Sequence, residues 1–389
     1  MQVPTSNDWN GTSPEPARSN YYILRAFWAM LNREIPDQET FLDMIELCSY
    51  HINPNVPWSS PINSQLMVRV VQDKSTLQGI LTHFEDYVVR ITPNLLKFPA
   101  IKSGNTSISK SSTVNRLHGG LKPRLGYGGA KKEILEEDIR RNWKNSTKVK
   151  CLSMVWFMVC VFDEQLLERY WNIVTSFVLN LGDDHEPLIK YQSMKLESYF
   201  LDKVADSKHI LVKSGLLEVF IESNKKALTH TPPITPPNTS MLVLREAYSC
   251  LDCLLAIKGV SSPVILDYTE LVSIYILPSI SNLLSRSEKE SFLPVIIILL
   301  TELQHLINNR LTFKVMLSVS RINFTLNQTI TNPFILDHEH GLLAVRKCLQ
   351  CQEAILDQIA KTEEQGKALL LAYKYDFIGS WAVLVKRLR

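Results

Sequence analysis

A chain of 389 residues is long enough for two or three globular domains or for one continuous helical-repeat structure, and its 45% hydrophobic content excludes wholesale disorder. The net charge is +3 and is distributed unevenly along the chain. The longest apolar runs, 151–162 and 292–300, fall short of the about 20 residues that a bilayer requires, so no membrane-spanning segment is predicted.

The amino-terminal part of the sequence changes character near residue 20. Residues 1–19 are rich in Pro, Ser and Asn and hold no apolar segment of the kind that a secretion signal needs, so they predict a flexible arm and a protein of the cytoplasm or nucleus. From 20 to 96, apolar residues recur at three- and four-residue spacing, with a helix break at Pro36 and a helix start at Asp37. This pattern predicts amino-terminal helical repeats.

Residues 97–132 form a basic segment rich in Gly, Ser and Asn. It holds eight Lys or Arg and no Asp or Glu, so it carries +8 and the rest of the chain carries −5. A linker between repeats, a partner-binding loop and a phosphate or nucleic-acid site are all open interpretations. The glycines at 126–129 follow no strand and match no phosphate-binding motif. The candidate partner-binding residues are Lys122, Arg124, Lys131 and Lys132.

Residues 133–310 read as a run of central helical repeats, organised around a hairpin at 171–201. Apolar residues mark one face of each helix, and Gly182, Asp184 and Pro187 lie between the helices, where they suit a helix end, a cap and a first turn. Such a hairpin cannot bury both apolar faces by itself and needs stacked neighbours. An ordinary helical bundle is the alternative.

The turn of this hairpin also resembles a known repeat. In HEAT-type repeats an Asp stands at the turn, and a Lys or Arg on the second helix can meet the Asp of the adjoining unit. Asp183 or Asp184 together with Lys190 resemble that pair. The fold class that we predict is therefore all-α, an α-solenoid of HEAT-like antiparallel helix pairs.

A proline-rich stretch, HTPPITPP at 230–237, interrupts the helical pattern. It predicts an extended, rigid loop between repeats. The alternative is a recognition motif at Pro233–Pro236, with Thr231 and Thr235 as phosphorylation targets.

The last segment, 311–389, is predicted to be a carboxy-terminal helical region. Alternating apolar residues at 313–319 would suit a strand, but in an otherwise helical chain we expect helix and loop. One helix is predicted at 363–371 and a terminal one at 377–388. Trp381, placed on the inward face of the terminal helix, either caps the stack or docks a partner.

Chemical motifs are scarce. The seven cysteines include two C-x-x-C pairs, but these lie about a hundred residues apart in helical pattern, so buried, reduced thiols are expected rather than zinc ligands. The acidic and histidine residues of 337–340 point in different directions on a helix, so one ion could not bind them all, and a helix N-terminus with acidic capping residues is expected there instead. No hydrolase, protease, kinase or P-loop motif occurs in the sequence. We therefore expect no enzyme activity, no cofactor and no metal.

The order of several short stretches between 131 and 257 resembles one family. An apolar helix precedes a double-Asp turn, a Lys follows shortly after, then come a Gly-Leu helix, a proline-bearing loop and an Ala-Tyr helix. These features fall at Asp183, Asp184, Lys190, Gly215, Leu216, Pro232, Pro233, Ala247 and Tyr248. The pattern resembles the family of the second interacting protein of the telomere-length regulator Tel-two, the smallest subunit of the Triple-T (TTT) complex.

The resemblance implies a non-catalytic scaffold. Such a protein would bind the two larger Triple-T subunits, which are helical-repeat proteins. With the heat-shock chaperone system, it would help to mature the phosphatidylinositol-kinase-related protein kinases in cytoplasm and nucleus. Neither a membrane nor nucleic acid is expected as a partner. The alternative function is a helical-repeat adaptor for nuclear transport or for nucleic-acid-associated complexes.

Overall fold

The computed structural model describes residues 14–31, 37–98, 127–204, 209–259, 263–286, 289–361 and 363–389. In these ranges helices are joined by short turns, and no strand occurs. The prediction of an all-α chain is confirmed. The chain divides into two compact units, Met1–Asn180 and Leu181–Arg389.

In the first unit, polar side chains cap the starts of several helices. Asp37 accepts a hydrogen bond from the amide of Thr40 at 3.2 Å, as its predicted position at a helix start requires, and Ser60 and Asp73 cap the next helices in the same way. The helices are α1 (Pro14–Leu31), α2 (Gln38–Ser49), α3 (Pro61–Gln72), α4 (Lys74–Thr82), α5 (Phe84–Ile91), α6 (Tyr127–Lys144), α7 (Cys151–Val161) and α8 (Glu164–Gly182), whose last two residues fall in the second unit.

The core of the first unit surrounds α7, which is apolar on nearly every side and almost wholly buried, as its sequence predicts. Aromatic rings join α5 to α7 and α8: Tyr87 contacts Phe157, with ring centroids 5.2 Å apart, and Phe84 contacts Tyr170 at 5.5 Å. These contacts tie segments far apart in sequence into one unit.

The described residues of the second unit form ten further α-helices. They are α9 (Pro187–Lys203), α10 (His209–Ser214), α11 (Leu216–Ala227), α12 (Pro237–Gly259), α13 (Ile265–Glu270), α14 (Leu277–Leu284), α15 (Lys289–Leu306), α16 (Val319–Ile330), α17 (Gly341–Ala360) and α18 (Glu363–Leu388). A π-helical segment, Leu271–Ile276, joins α13 to α14, and another, Ile307–Leu311, follows α15.

Helices of the second unit contact one another in two rows. The pairs α11 and α12, α14 and α15, and α16 and α17 each lie in contact. Between pairs, α12 contacts α15 and α15 contacts α17, while α14 contacts α16. The helices α12, α15 and α17 carry a continuous set of fully buried aliphatic residues, including Leu244, Leu251, Val295, Leu303 and Ile355. Each pair therefore covers apolar faces of the next one.

One glycine fixes the start of α17. A Cβ atom placed on Gly341 would lie 1.6 Å from the carbonyl oxygen of Ile335, in the 3-10 turn that precedes the helix. No other residue fits that close approach. The acidic capping residues predicted at 337–340 do not cap this helix, since His340 precedes it and makes no side-chain cap hydrogen bond.

Several predicted segments differ from the structure. Helix α1 begins at Pro14, inside the predicted arm 1–19, because proline suits a first helical turn; residues 1–13 lie outside the described ranges. Helix α6 begins at Tyr127, inside the predicted basic segment 97–132, of which 99–126 are not described. Residues 319–330 form α16, so the helical interpretation of 311–330 is confirmed. The boundaries at 96, 132 and 310 stay predictions.

Candidate interaction surface

The predicted repeat turn at 182–190 is held by its own polar side chains. Asp184, 1% exposed, accepts a hydrogen bond from the amide of Glu186 at 2.8 Å, and the Nζ atom of Lys190 donates to the carbonyl of Gly182 at 2.7 Å. A cation at the carboxy end of a helix is favoured by the helix dipole. Asp183 is exposed. The predicted pairing of Lys190 with the Asp of an adjoining unit stays a prediction.

The candidate basic residues lie at the edge of what the structure describes. Lys122 and Arg124 fall outside the described ranges. Lys131 and Lys132 lie in the first part of α6. Their predicted role in binding a partner therefore rests on the sequence.

The proline-rich stretch forms a turn in front of α12, and one of its two threonines is buried. Thr235 is 1% exposed, and its hydroxyl lies 3.2 Å from Nδ1 of His230. Burial, with a contribution from the positive charge of Lys190, lowers the pKa of His230, so this histidine is neutral at pH 7. The Thr235 hydroxyl is thus enclosed in the fold, whereas Ile234 projects into solvent.

The cysteines behave as small apolar residues, with one exception. Burial raises the pKa of Cys48, Cys151 and Cys351 to about 12, and all seven cysteines are free. A protonated thiol is neither a nucleophile nor a metal ligand. Cys253 corrects the prediction of buried thiols, since it lies exposed on α12 while Cys250 of the same pair is buried. Among the described residues no three His, Cys, Asp or Glu side chains form a group that could hold a metal.

We expect Cys253 to be the first cysteine to react with iodoacetamide at pH 7.5. Partial burial raises the pKa of the Cys253 thiol too, but its side chain reaches solvent, whereas the thiols of Cys250 and Cys348 are enclosed as well as protonated. Mass spectrometry of a time course on the native full chain measures the order of modification, and Cys253→Ser is the control. Modification of Cys250 or Cys348 as fast as that of Cys253 would contradict the packing of the second unit.

A shallow groove of about 350 Å³ lies between α14 and α16. It is lined by Leu277, Pro278, Ser281, Ser320, Arg321, Phe324 and Thr325. Arg321, the one ionisable residue of this lining, donates a hydrogen bond to the carbonyl of Ser273 at 3.3 Å. The groove therefore holds no pair of groups suited to acid and base catalysis.

One face of α18 is fastened to α16 and α17 by a polar network. Gln352 on α17 is fully buried; its Nε2 atom donates to Oδ1 of Asn323 at 3.0 Å and of Asn327 at 2.8 Å, and its Oε1 atom accepts from the indole of Trp381 at 2.7 Å. Below this network the buried side chains of Phe377 and Leu384 contribute apolar packing. Gln352 thus joins three helices.

Further hydrogen bonds extend the attachment of α18 in both directions. Asn327 donates to the carbonyl of Asp376 at 3.1 Å, and Arg387 donates to the carbonyls of Thr331 and Asn332 at 2.6 and 2.9 Å. The carbonyls at 331 and 332 follow the end of α16, where a cation is favourable. These contacts determine which face of α18 is turned away from the other helices of the second unit.

The outward face of α18 is apolar. Two long apolar side chains near its centre, Tyr375 and Ile378, are 73% and 54% exposed. We define the α18 seam as the exposed residues at alternating three- and four-residue spacing: Ala368, Leu371, Tyr375, Ile378, Ala382 and Val385. A contiguous exposed apolar strip of this kind marks an interaction site in a folded protein.

The sequence interpretation missed this seam because it divided α18 into helices at 363–371 and 377–388. The structure has a single helix, Glu363–Leu388. Trp381, predicted to face inward or to dock a partner, lies at the border of the two faces: its ring is 36% exposed and its N–H group is held by Gln352. The spacing of the seam residues was the signal that could have found it.

Two described helical stretches, Phe292–Leu317 and Gly366–Leu388, are long and apolar enough to cross a membrane by length and composition alone. For the first, 56% of the window is buried in the structure, as expected for a core helix; for the second, the buried share is 17%. The small buried share of the second stretch is explained by the exposed residues of the α18 seam.

In the parts of the chain that the structure describes, these features define a class: an all-helical protein whose prominent surface is suited to another protein rather than to a small substrate. The comparison with protein-family models identifies the particular family. The model described as the Tti2 family matches residues 44–337, and the chain belongs to that family. The resemblance predicted from residues 131–257 is thereby confirmed. Neither the comparison with curated proteins nor the comparison with solved structures found a match.

Proposed function

We propose that this chain is a non-catalytic scaffold subunit of the Triple-T complex. In that role it acts as a co-chaperone, with the heat-shock chaperone system, in the maturation of phosphatidylinositol-kinase-related protein kinases. Membership of the Tti2 family, over residues 44–337, is the observation that carries the proposal. The direct partners are the two larger, helical-repeat subunits, and the protein works in cytoplasm and nucleus.

The physical character of the chain supports a scaffold. The described helices bring together no catalytic pair in the groove between α14 and α16 and no metal-binding group, whereas α18 presents an extended apolar face. We also propose that the helix pairs stack as HEAT-like repeats. The two rows of contacting helices in the second unit support this, because in an α-solenoid each pair covers the apolar face of its neighbour.

Affinity purification of the tagged full chain, followed by mass spectrometry, tests the proposal. We expect the two larger Triple-T subunits in stoichiometric amounts, and we expect kinase levels to fall when the chain is depleted from cells and to return when it is restored. Purification of the chain without either subunit, from cells that express both, would overturn the proposal.

The same experiment tests the alternative adaptor function. An adaptor that uses the basic segment would lose its partner when residues 97–132 are deleted, and its binding would weaken steeply with salt, because each neutralised phosphate releases counterions. A scaffold of the proposed kind keeps both larger subunits after this deletion. The adaptor would instead be favoured if the wild type bound neither subunit but bound nucleic acid or a nuclear-transport protein in a salt-sensitive way that this deletion abolished.

A further inference from the structure

We propose that the α18 seam binds one amphipathic helix of a partner protein, with an apolar 3.5-residue repeat flanked by Asp and Glu. This inference rests on the proposed scaffold function, and it names the surface and the chemistry of the partner segment. Three observations support this inference. The exposed apolar residues have the spacing of a helix-pairing surface, the residues beside the seam are positively charged, and the opposite face of α18 is held against α16 and α17.

The spacing selects a helix as the occupant. The seam residues alternate in steps of three and four, which is the pattern that places side chains along one line facing a second helix. The seam runs from Ala368 to Val385, or about 25 Å at 1.5 Å per residue, so it accommodates a partner helix of four to five turns. Beside it, Ala372 and Gly379 are exposed, and a Cβ atom on Gly379 would meet nothing within 4 Å. The partner helix can therefore approach closely on that side.

The charges beside the seam determine which charge the flanking residues of the partner helix should carry. The positions next to the seam, which in a paired helix lie opposite the partner's flanking residues, carry Lys374 and Lys386. The acidic residue Asp376 lies farther round the helix, toward the docked face, where its carbonyl accepts from Asn327. Lys374 also lies over the ring of Tyr375, 4.8 Å from its centroid, which holds its charge beside the seam. Acidic flanks on the partner complement this arrangement.

Two other occupants fit less well. In a pair formed by two copies of α18, the flanks of the second copy offer Lys374 and Lys386 only neutral or basic residues, so no salt bridge would form across the seam. To span a bilayer, α18 would have to leave its docked face, where Gln352 and Arg387 bind it to α17 and α16. A partner helix covers the seam without breaking either contact.

The experiment uses the full chain in cells, co-expressed with the two larger subunits. Ile378→Glu introduces a charge at the centre of the seam, and we expect the co-purified subunits to fall by more than tenfold. Leu266→Glu is the matched control, because Leu266 is 76% exposed on α13, away from the seam, and we expect that variant to bind like the wild type. Circular dichroism of both purified variants verifies the helical fold.

A charge-reversal arm tests the acidic flanks. We expect the double variant Lys374→Glu, Lys386→Glu to weaken binding at least tenfold, and the double variant Lys226→Glu, Lys361→Glu, which changes exposed lysines elsewhere, to leave it unchanged. A photo-crosslinking p-benzoylphenylalanine in place of Tyr375 then identifies the segment on the seam. The expected adduct is a peptide of a larger subunit with a heptad of apolar residues and acidic flanks.

The outcomes separate the two proposals. If the wild type retains both subunits and Ile378→Glu retains them equally, the seam inference is overturned while the scaffold function stands. If the wild type retains neither subunit but the crosslinked peptide is an acid-flanked helix of another protein, the function falls and the seam stands. Adducts with a second copy of the chain, or binding of the wild type but not of Ile378→Glu to phosphatidylcholine and phosphatidylserine vesicles, would overturn the inference.

Discussion

Replacement of Gln352 by methionine is expected to lower the free energy of unfolding by about 3 kcal/mol and to loosen α18, although Met has nearly the same shape. The substitution leaves the side chains of Asn323 and Asn327 and the indole of Trp381 without their partner. A buried polar group without a hydrogen bond costs about 1–3 kcal/mol. Asn323 is 1% exposed and bears this cost fully, whereas Asn327 and Trp381 reach solvent once α18 moves.

The location of the effect distinguishes this prediction from general destabilisation. Hydrogen exchange measured by mass spectrometry should increase most in α18 and in the carboxy-terminal half of α16, with α12 little changed. Glu353→Met provides the control, since Glu353 is the next residue of α17 and is exposed. Unchanged exchange in α18, together with an unchanged urea midpoint, would mean that apolar packing by Phe377 and Leu384 alone fastens the helix.

The helices themselves were predictable because apolar periodicity and capping residues are local signals. Asp37 and Pro187 mark helix starts in the sequence and in the structure, and the all-apolar character of 151–161 predicts the burial of α7. The family was predictable from the order of short stretches, none of which is specific alone. The prediction of the helices and the prediction of the family each use short stretches of residues that lie near one another along the chain.

The polar contacts between helices were not predictable in this way. Gln352, Asn323 and Asn327 each occupy a position that sequence reasoning treats as an ordinary polar residue, and only the packing of α16, α17 and α18 brings them together. The division of α18 came from the charged residues Lys374 and Asp376, which interrupt its apolar pattern locally. The docked and exposed faces of this helix are distinguished by contacts far away in sequence.

The environment of Glu197 was also not predictable from the sequence. A glutamate on a helix is expected to face solvent, yet Glu197 on α9 is only 3% exposed. Its Oε1 atom accepts a hydrogen bond from Nδ2 of Asn224 at 2.7 Å. Burial raises the pKa of Glu197 to about 8, and the hydrogen bond from Asn224 offsets part of that rise. On α12, which contacts α9, the nearby thiol of Cys250 is protonated as well, since burial raises its pKa.

Stability should therefore fall as the pH rises from about 5 to about 8. In this window the folded state keeps a proton on Glu197 that the unfolded state, with a pKa of 4.5, has released, so unfolding releases protons and is favoured at higher pH. At pH 7 the cost is about 3 kcal/mol, at about 1.4 kcal/mol for each pH unit above the unfolded pKa. Below pH 4.5 the carboxyl is neutral in both states and the cost disappears.

Glu197→Gln should remove this cost and stabilise the protein, by little at pH 5, by about 3 kcal/mol at pH 7 and by about 4 kcal/mol at pH 8. The amide oxygen of glutamine can accept the same hydrogen bond from Asn224, and Oδ1 of Asn224, which is buried without a partner, offers an acceptor for the new N–H group. Urea midpoints measured at unit pH intervals from 5 to 8 follow the effect, with the exposed Glu353→Gln as control. A stabilisation that does not grow with pH would show that Glu197 is ionised in the folded protein, and a destabilisation at every pH would show that its carboxylate is bound by groups besides Asn224.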